Sequence, residues 1–470
     1  MANKSKRRDF LKATTAASVG YWVSAGGARA ASRSPNERVN HAAIGAGGMG
    51  RGDVKGISEA GAHVVALCDV DEARSAESRK RFPDAKFFHD FREMFDKMGD
   101  EIDSVNVSTP DHTHFVASMT ALKLGKHVRT QKPLTHDVWE ARMLKEEAAR
   151  RPKQVTAMGN QGTTADGFRE AVEVIQSGTI GAPKEVHVWT NRPVWPQGTG
   201  AVLKHKGVRA GLTGDGAAAK PPSTLQWDLW LGTAPVRNYD PIYVPHDWRG
   251  WWDYGTGALG DMACHTANMA FMACEIWDDV YPTSVEAEIS EYNPETFPMW
   301  SILTYQFPPR QGRSGALPGL KWVWYDGGDD KPKWVIPHLK KLAQTNRLPV
   351  SGSLIIGEKG TLYSPDDYGS NYTLLPKQNF RGYKPPSPWL PRIGGDTYGE
   401  FVRAIQQGDP KAVMSNYGYA GPLTETVVLG CTAMRSKNRM IEWDGPNMKI
   451  TNDQKANQHL RRDYRGEWDV

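Results

Sequence analysis

Val39-Asn40-His41-Ala42-Ala43-Ile44-Gly45-Ala46-Gly47-Gly48-Met49-Gly50 is the stretch on which the reading of this chain turns. Its first half is a short apolar run, as a buried strand requires, and its second half carries glycines at Gly45, Gly47 and Gly50. That is the G-x-G-x-x-G spacing of a dinucleotide-binding βα unit. Gly45 serves the tight turn, Gly47 the approach of backbone to a pyrophosphate, and Gly50 the close packing of helix on strand. The free N–H groups of the helix start then face the phosphate charge. Gly45, Gly47, Gly48, Met49 and Gly50 are therefore candidate cofactor contacts. Glycine is common in loops, so the spacing alone also fits an ordinary turn, and its surroundings decide.

Downstream, His63-Val64-Val65-Ala66-Leu67-Cys68-Asp69 reads as a buried strand ending in an acid, 19 residues beyond Gly50. A dinucleotide fold places there the carboxylate that accepts hydrogen bonds from the adenosine ribose. A carboxylate repels a 2′-phosphate, so NAD is favoured over NADP, with Arg74 close enough in sequence to keep NADP in view. Asp69 also suits a helix N-cap, a task that Asp71 can perform instead. Strand and helix signals then alternate as a parallel sheet requires. Ile102–Val107 is a strand, a helix carrying Phe115, Met119 and Leu122 closes at Gly125, and His127–Thr130 is a short strand. A further helix runs through Arg150 to the strand Gln154–Met158. Ligands sit at strand ends in such sheets, which makes Thr109, His114 and Lys132 candidates by position.

The residues before the glycine turn have a different character. Lys6-Arg7-Arg8-Asp9-Phe10-Leu11-Lys12, the apolar run Ala13–Ala25 and Ala28-Arg29-Ala30 make up a twin-arginine export signal with its cleavage site, over residues 1–30. This predicts contact with the twin-arginine export machinery and a periplasmic or otherwise exported protein. Residues 1–30 hold six basic side chains against Asp9, and the whole chain of 470 residues is only +5. The remainder is neutral, which argues against a nucleic-acid partner. No stretch approaches the roughly 20 apolar residues that span a bilayer. Cys68, Cys264, Cys274 and Cys431 lack metal-ligand spacing and read as buried thiols. A dinucleotide enzyme exported already folded has to carry its cofactor tightly bound.

Gly45-x-Gly47-x-x-Gly50, Thr109-Pro110-Asp111-His112-x-His114 and Lys132-Pro133 together resemble the Gfo/Idh/MocA oxidoreductases, which include glucose–fructose oxidoreductase and inositol dehydrogenase. The resemblance covers nearly all of the chain after residue 38. It implies an α/β protein: an N-terminal Rossmann dinucleotide-binding domain, here 31–160, and a C-terminal α/β domain with an open, mostly antiparallel sheet, here 161–470. It also implies that Thr109 and Pro110 touch the cofactor, that Lys132 lies near the nicotinamide in a Glu-Lys-Pro motif, and that Asn160 and Gln161 line the nicotinamide side, although polar residues that merely end a strand fit those two positions equally well. Gln131 stands where the family usually has Glu, which bears on how Lys132 is positioned and titrates. An open sheet commonly covers itself with a second subunit, so a homo-dimer or homo-tetramer is expected.

Beyond residue 160, Phe168, Ala171, Val172 and Ile175 mark a helix with Thr164 as its cap, followed by a strand over Glu185–Asn191. Residues 193–252 are Pro- and Gly-rich and read as a long surface insertion. Seven of the 17 tryptophans fall between Trp189 and Trp252. Trp195 and Trp251, with Arg192 and His246 nearby, suit a sugar whose C–H face stacks on an indole while its hydroxyls bond to polar groups; ordinary aromatic packing suits the same tryptophans. Leu259–Met272 is an apolar, buried helix, and Asp261 and His265 share one face of it at i and i+4. A structural pair and a two-ligand metal site lacking a third ligand are the alternatives; the resemblance matches the two to the family's substrate-side acid and histidine. Lys331–Arg347 reads as a solvated basic surface, Ser353–Ser364 as a hairpin, and Thr397–Gln407 and Leu423–Ser436 as helices returning to brace the first domain.

The resemblance thus implies an NAD(H)-dependent oxidoreductase that moves hydride to or from a carbohydrate-like small molecule. His265, titrating near neutrality, takes the hydroxyl proton. Lys132 stabilises the alkoxide, and Asp261 orients His265 or holds a substrate hydroxyl. No metal is called for. The same residues also suit a glycoside-cleaving enzyme that oxidises its sugar transiently, and Gln131 keeps open a non-catalytic sugar-binding protein.

Overall fold

Asn40–Ile44 forms strand β1, with four of its five residues buried, because an apolar run walled on both sides loses least water contact as the middle of a parallel sheet. The computed structural model describes residues 38–198, 219–291 and 293–468. The twin-arginine segment and 199–218 of the expected insertion lie outside the described residues.

Helix α1 (Gly48–Glu59) follows the glycine turn and leads to β2 (His63–Cys68). Helix α2 (Glu72–Arg81) is capped by Asp71, whose side chain accepts from the N–H groups of Ala73 and Arg74. Next come β3 (Lys86–Phe88), α3 (Phe91–Met98), β4 (Ser104–Val107), α4 (Asp111–Lys123), β5 (His127–Thr130), α5 (Val138–Arg150) and β6 (Thr156–Met158). The six strands are all parallel in the order β3-β2-β1-β4-β5-β6. This is the doubly wound order that leaves a crevice beyond the carboxyl ends of β1 and β4.

Helix α6 (Asp166–Gln176) is capped at Ala165 and not at Thr164, whose hydroxyl instead donates to the Gln161 carbonyl in the preceding turn. Strand β7 (Pro183–Trp189) opens a second sheet, joined later by β8 (Ser284–Ile289), β9 (Ser301–Phe307), β12 (Leu320–Tyr325), β13 (Gly352–Gly357), β14 (Thr361–Ser364), β15 (Thr373–Leu375), β16 (Met440–Asp444) and β17 (Lys449–Ile450). The order is β15-β14-β13-β7-β12-β9-β8-β16-β17, antiparallel throughout except for β7 beside β12. A small separate hairpin, β10 (Arg310–Gly312) and β11 (Gly315–Leu317), lies between β9 and β12 in the chain.

Two stretches expected at the surface each bury part of their length. Within 219–252, helix α7 (Trp227–Leu231) begins an aromatic cluster of Trp230, Tyr243, Trp248, Trp251 and Tyr254, all buried, with the Trp227 and Trp230 rings stacked at 4.8 Å. Indoles bury more area than a polar loop loses, so a Trp-rich insertion makes its own core. Helices α8 (Gly257–Thr266) and α9 (Asn268–Ala273) follow. Within 331–347, helix α10 (Val335–Leu342) buries Val335 and Leu339 against Trp189, Val323 and Tyr325 on one face of the larger sheet. The buried Lys331 ammonium donates there to the Thr190 carbonyl. Helices α11 (Thr397–Gln407) and α12 (Tyr417–Arg435) then return to the parallel sheet. Tyr398 donates to Asp53 of α1 at 3.0 Å, and Tyr417 shares a 2.5 Å hydrogen bond with Thr130 of β5. All four cysteines are free thiols.

Candidate active site

A cavity of about 430 Å³ opens at the carboxyl ends of β1, β2, β4 and β5. Its floor is the glycine turn. Gly45 has φ +83°, and a Cβ there would stand 2.6 Å from the Ser108 carbonyl oxygen. A Cβ on Gly50 would stand 1.9 Å from the Gly45 carbonyl, so this residue packs helix on turn and does not face the cavity. Gly47, Gly48 and Met49 line the space, with the amino end of α1 behind them. A bare backbone cradle at a helix start is what a pyrophosphate needs. Asp69 lines the same cavity and also anchors the turn: its carboxylate accepts from the N–H groups of Ala46 at 2.9 Å, Gly47 at 2.8 Å and Asp71 at 2.9 Å. Burial raises its pKa against the pull of those donors. Arg74 rests over the turn, its guanidinium 3.1 Å from where a Gly48 Cβ would be.

Beyond Thr109 and Pro110, which line the cavity, lies Lys132. Its ammonium donates to the Asp261 carboxylate at 2.6 Å and to the Asp261 carbonyl at 2.8 Å. The Arg249 Nε donates to the same carboxylate oxygen at 3.1 Å, and Arg192 stands 4.0 Å from the other. Burial alone would raise the Asp261 pKa, yet the Lys132 ammonium and Arg249 guanidinium hold it well below the usual carboxylate range. Lys132 and Arg249 both engage one oxygen of the Asp261 carboxylate, and no hydrogen bond joins Asp261 to His265 among the described residues, so the expected Asp–His pairing gives way to an Asp–Lys pair. His265 is buried, its Nδ1 has no hydrogen-bond partner among the described residues, and its ring meets Tyr368 edge-on at 5.2 Å. Burial, then the Lys132 ammonium, push His265 down to about 3. A pKa near neutrality is what the sequence suggests; burial beside the Lys132 ammonium instead favours the neutral ring.

Other expected contacts are rearranged. His114 does not line the cavity: its two ring nitrogens reach the Pro133 and Thr109 carbonyls, both at 2.8 Å, and so pin the β4 and β5 turns together. Burial lowers its pKa, and a neutral ring can donate to only one of those carbonyls. Asn160 is buried at the end of β6 with neither amide atom partnered among the described residues, an orphaned pair that a bound polar group would satisfy. Trp195 and Trp251 do not line the cavity. Trp195 donates to Gln197 and packs edge-on against His246, and Trp251 is buried against Tyr243. Of that group His246 does line it, and Arg192 stands beside Asp261.

Gln131 turns its amide toward Asp53 of α1, donating to both carboxylate oxygens at 3.0 and 2.8 Å, while Arg129, Ser108 and Tyr398 donate to the same carboxylate. The negative charge therefore sits on α1, and a glutamate at 131 would face it. Trp248 and Arg249, from the tryptophan-rich run read as suited to a sugar, line the cavity, and so do Leu225, Trp230 and Trp468, which were not expected there. Trp248-Arg249 lies in the Trp-rich run, which was a usable signal; Trp468 has none in the sequence.

Residues 39–158 match the model of an oxidoreductase family with an NAD-binding Rossmann fold, and 167–312 match the model of an oxidoreductase-family C-terminal alpha/beta domain; together they take in more than half of the chain. An inositol 2-dehydrogenase of Saccharopolyspora erythraea is 31% identical over 148 residues, which is 31% of this chain and 43% of that protein. The chain spans less than half the length of the curated relatives it matches. The WlbA dehydrogenase from Bordetella pertussis, solved in complex with NADH and UDP-GlcNAcA, superposes with a TM-score of 0.55 over 86% of this chain and 99% of that one, at 14% identity. GenD2 from gentamicin A biosynthesis, solved with NAD, gives 0.55 over 90% and 100%, at 15% identity. At these identities the likeness is one of fold.

Proposed function

This chain belongs to the Gfo/Idh/MocA oxidoreductases, and on that premise we propose that it moves hydride between a carbinol carbon of a sugar or cyclitol and tightly held NAD. The observation that carries the proposal is the ion pair of Asp261 with Lys132, which itself lines the cavity floored by the glycine turn, together with a buried His265 whose Nδ1 has no partner among the described residues. The turn, Asp69, Thr109 and the orphaned Asn160 are the residues that would hold the dinucleotide, and the nicotinamide supplies the hydride chemistry when bound. His265 accepts the proton of the substrate hydroxyl; its depressed pKa makes it a weak base at rest, so the transfer accompanies the departure of hydride. Lys132 stabilises the charge that develops on that oxygen. Asp261 fixes the Lys132 ammonium and offsets the charge that His265 gains. Arg249 and His246 border the space left for the substrate. The name of the inositol 2-dehydrogenase relative supports a polyhydroxylated substrate.

A second reading is favoured by the walls that residues 225–249 and Trp468 raise around the cavity: redox-neutral cleavage of a glycoside through transient oxidation, for which the cofactor never has to leave. Export through the twin-arginine route, supported by Arg7-Arg8 and its flanking residues, and assembly as a dimer or tetramer belong to the same proposal. In the test, His265→Ala cuts turnover by two orders of magnitude or more while NADH binding, read by fluorescence, is kept; unchanged turnover removes the role given to His265. Net NADH formation supports the dehydrogenase, and cleavage without net redox change supports the second reading.

A further inference from the structure

The cavity has a side that the glycine fingerprint does not account for. Besides Asp69, Asp71, Arg74, His89 and Asp90, the cavity is lined by Phe91 and by apolar side chains of two segments far apart in the sequence. The first pairs with the chain just after β2: the N–H of Glu72 donates to the Thr224 carbonyl at 3.0 Å, the N–H of Gln226 donates to the Val70 carbonyl at 2.8 Å, and Asp71 and Leu225 form an antiparallel bridge. It continues into α7, which is fixed to the start of α4 by the His112 ring against the Trp230 carbonyl at 3.0 Å and by the Thr233 hydroxyl donating to the His112 carbonyl at 2.7 Å. The second segment, 460–468, crosses over the first. Arg462 donates to the Asp253 and His112 carbonyls at 2.7 and 2.8 Å, and Tyr464 donates to Glu140 of α5 at 2.5 Å. Arg465 donates to the Gly232 carbonyl at 2.7 Å and to the Asp228 carboxylate at 2.8 Å. These bonds deliver Trp468 to the cavity, buried against Phe91 at 6.1 Å between ring centres.

We propose that the segments 224–230 and 460–468 complete the dinucleotide site as a two-piece clamp, in which Leu225, Leu229, Trp230, Phe91 and Trp468 enclose the adenine end of NAD. The proposal rests on the NAD reading above. Asp69 marks the ribose, and the group next to a ribose that suits apolar and aromatic walls is a flat base. Release of the base then requires one segment to lift, and each is held by backbone and charge-assisted hydrogen bonds that must break first. Slow exchange follows from the clamp itself, whatever compartment the protein occupies.

The experiment uses the full chain loaded with NADH and freed of excess by desalting. Release is followed by the loss of NADH fluorescence on chasing with NAD, and content by denaturing the protein and measuring the nucleotide freed. Trp468→Ala and Leu225→Ala are each expected to release NADH about tenfold faster than the parent, the size of one lost aromatic or apolar contact. Backbone hydrogen exchange in the unaltered chain is expected to slow at least tenfold over 224–230 and 460–468 when NADH is added, a readout that holds even if a variant fails to fold. Release as slow in both folded variants as in the parent overturns the clamp, and so does exchange in the two segments that NADH leaves unchanged. A parent chain that binds no dinucleotide overturns the reading of function instead.

Discussion

His265 is neutral because its ring has been taken out of water beside a lysine ammonium, and that cost of charging has a consequence for stability. Its folded pKa is depressed from 6.5 to about 3, so between those values the unfolded chain binds a proton that the folded chain refuses. The stability this site contributes is fully present above pH 6.5 and is lost as pH falls toward 3. From pH 6.5 to 5 the loss is about 2 kcal/mol at 1.36 kcal/mol per unit. His265→Asn cannot titrate there, so its urea-unfolding free energy should fall less than the parent's between pH 7 and pH 5, by about that amount; equal falls would show that the ring is not held neutral. Lys132 and the Asp261–His265 face were legible in the sequence because a helix fixes what i and i+4 share. What Asp261 prefers was not, because Lys132 reaches it from another sheet and Arg249 from a turn that no periodicity reveals. Trp195 and Trp251 failed for a related reason: composition cannot distinguish an indole that faces a cavity from one that faces another ring.

The unit β1–turn–α1 was legible as an element because its requirements are local and steric. Gly50 and Gly52 lie two residues apart and separate the roles that glycine can have. At Gly50 a Cβ would meet the Gly45 carbonyl at 1.9 Å, backbone against backbone, so Gly50→Ala has to push α1 off the turn. A loss of about 2–3 kcal/mol is expected, with dinucleotide binding lost as well. At Gly52 nothing lies within 4 Å, the site is exposed, and the residue is inside α1, so Gly52→Ala should gain about 0.5–1 kcal/mol from helix propensity alone. Denaturant melts of the two variants should therefore move in opposite directions, and shifts of the same sign would contradict the packing described for Gly50. Helices α7 and α10 were not legible in this way. Five residues of α7 are too few to show a period, and the lysines of α10 mask the Val335–Leu339 spacing that buries it. Both are held by tertiary packing, where sequence-local signals are weakest.

The two sheets are joined by more than a linker. Between them α12 packs on α5 and on β8, and buried polar pairs cross the junction: Tyr398 to Asp53, Tyr417 to Thr130, Arg169 to Glu400, and Arg142 to Glu425. These pairs join residues 231 to 345 apart in the sequence, so the parallel sheet borrows core from distant segments. Neither sheet then has a complete surface without the other, so calorimetry should give one transition for residues 39–470, with near-ultraviolet dichroism and NADH binding lost at the same midpoint. Glu425→Ala tests the coupling. Both partners of the Arg142–Glu425 pair are nearly inaccessible, at 8% and 4% of side-chain exposure, so removing one leaves a buried guanidinium without its carboxylate, at a cost of about 3–5 kcal/mol. Unfolding entropy of about 2 cal/mol/K per residue makes that a drop of only about 3–5 °C in a chain of this length. The decisive outcome is its form. The single transition should move down whole; a new, separate low-temperature transition carrying only the NADH signal would mean that the parallel sheet melts by itself and that α12 is merely laid against it.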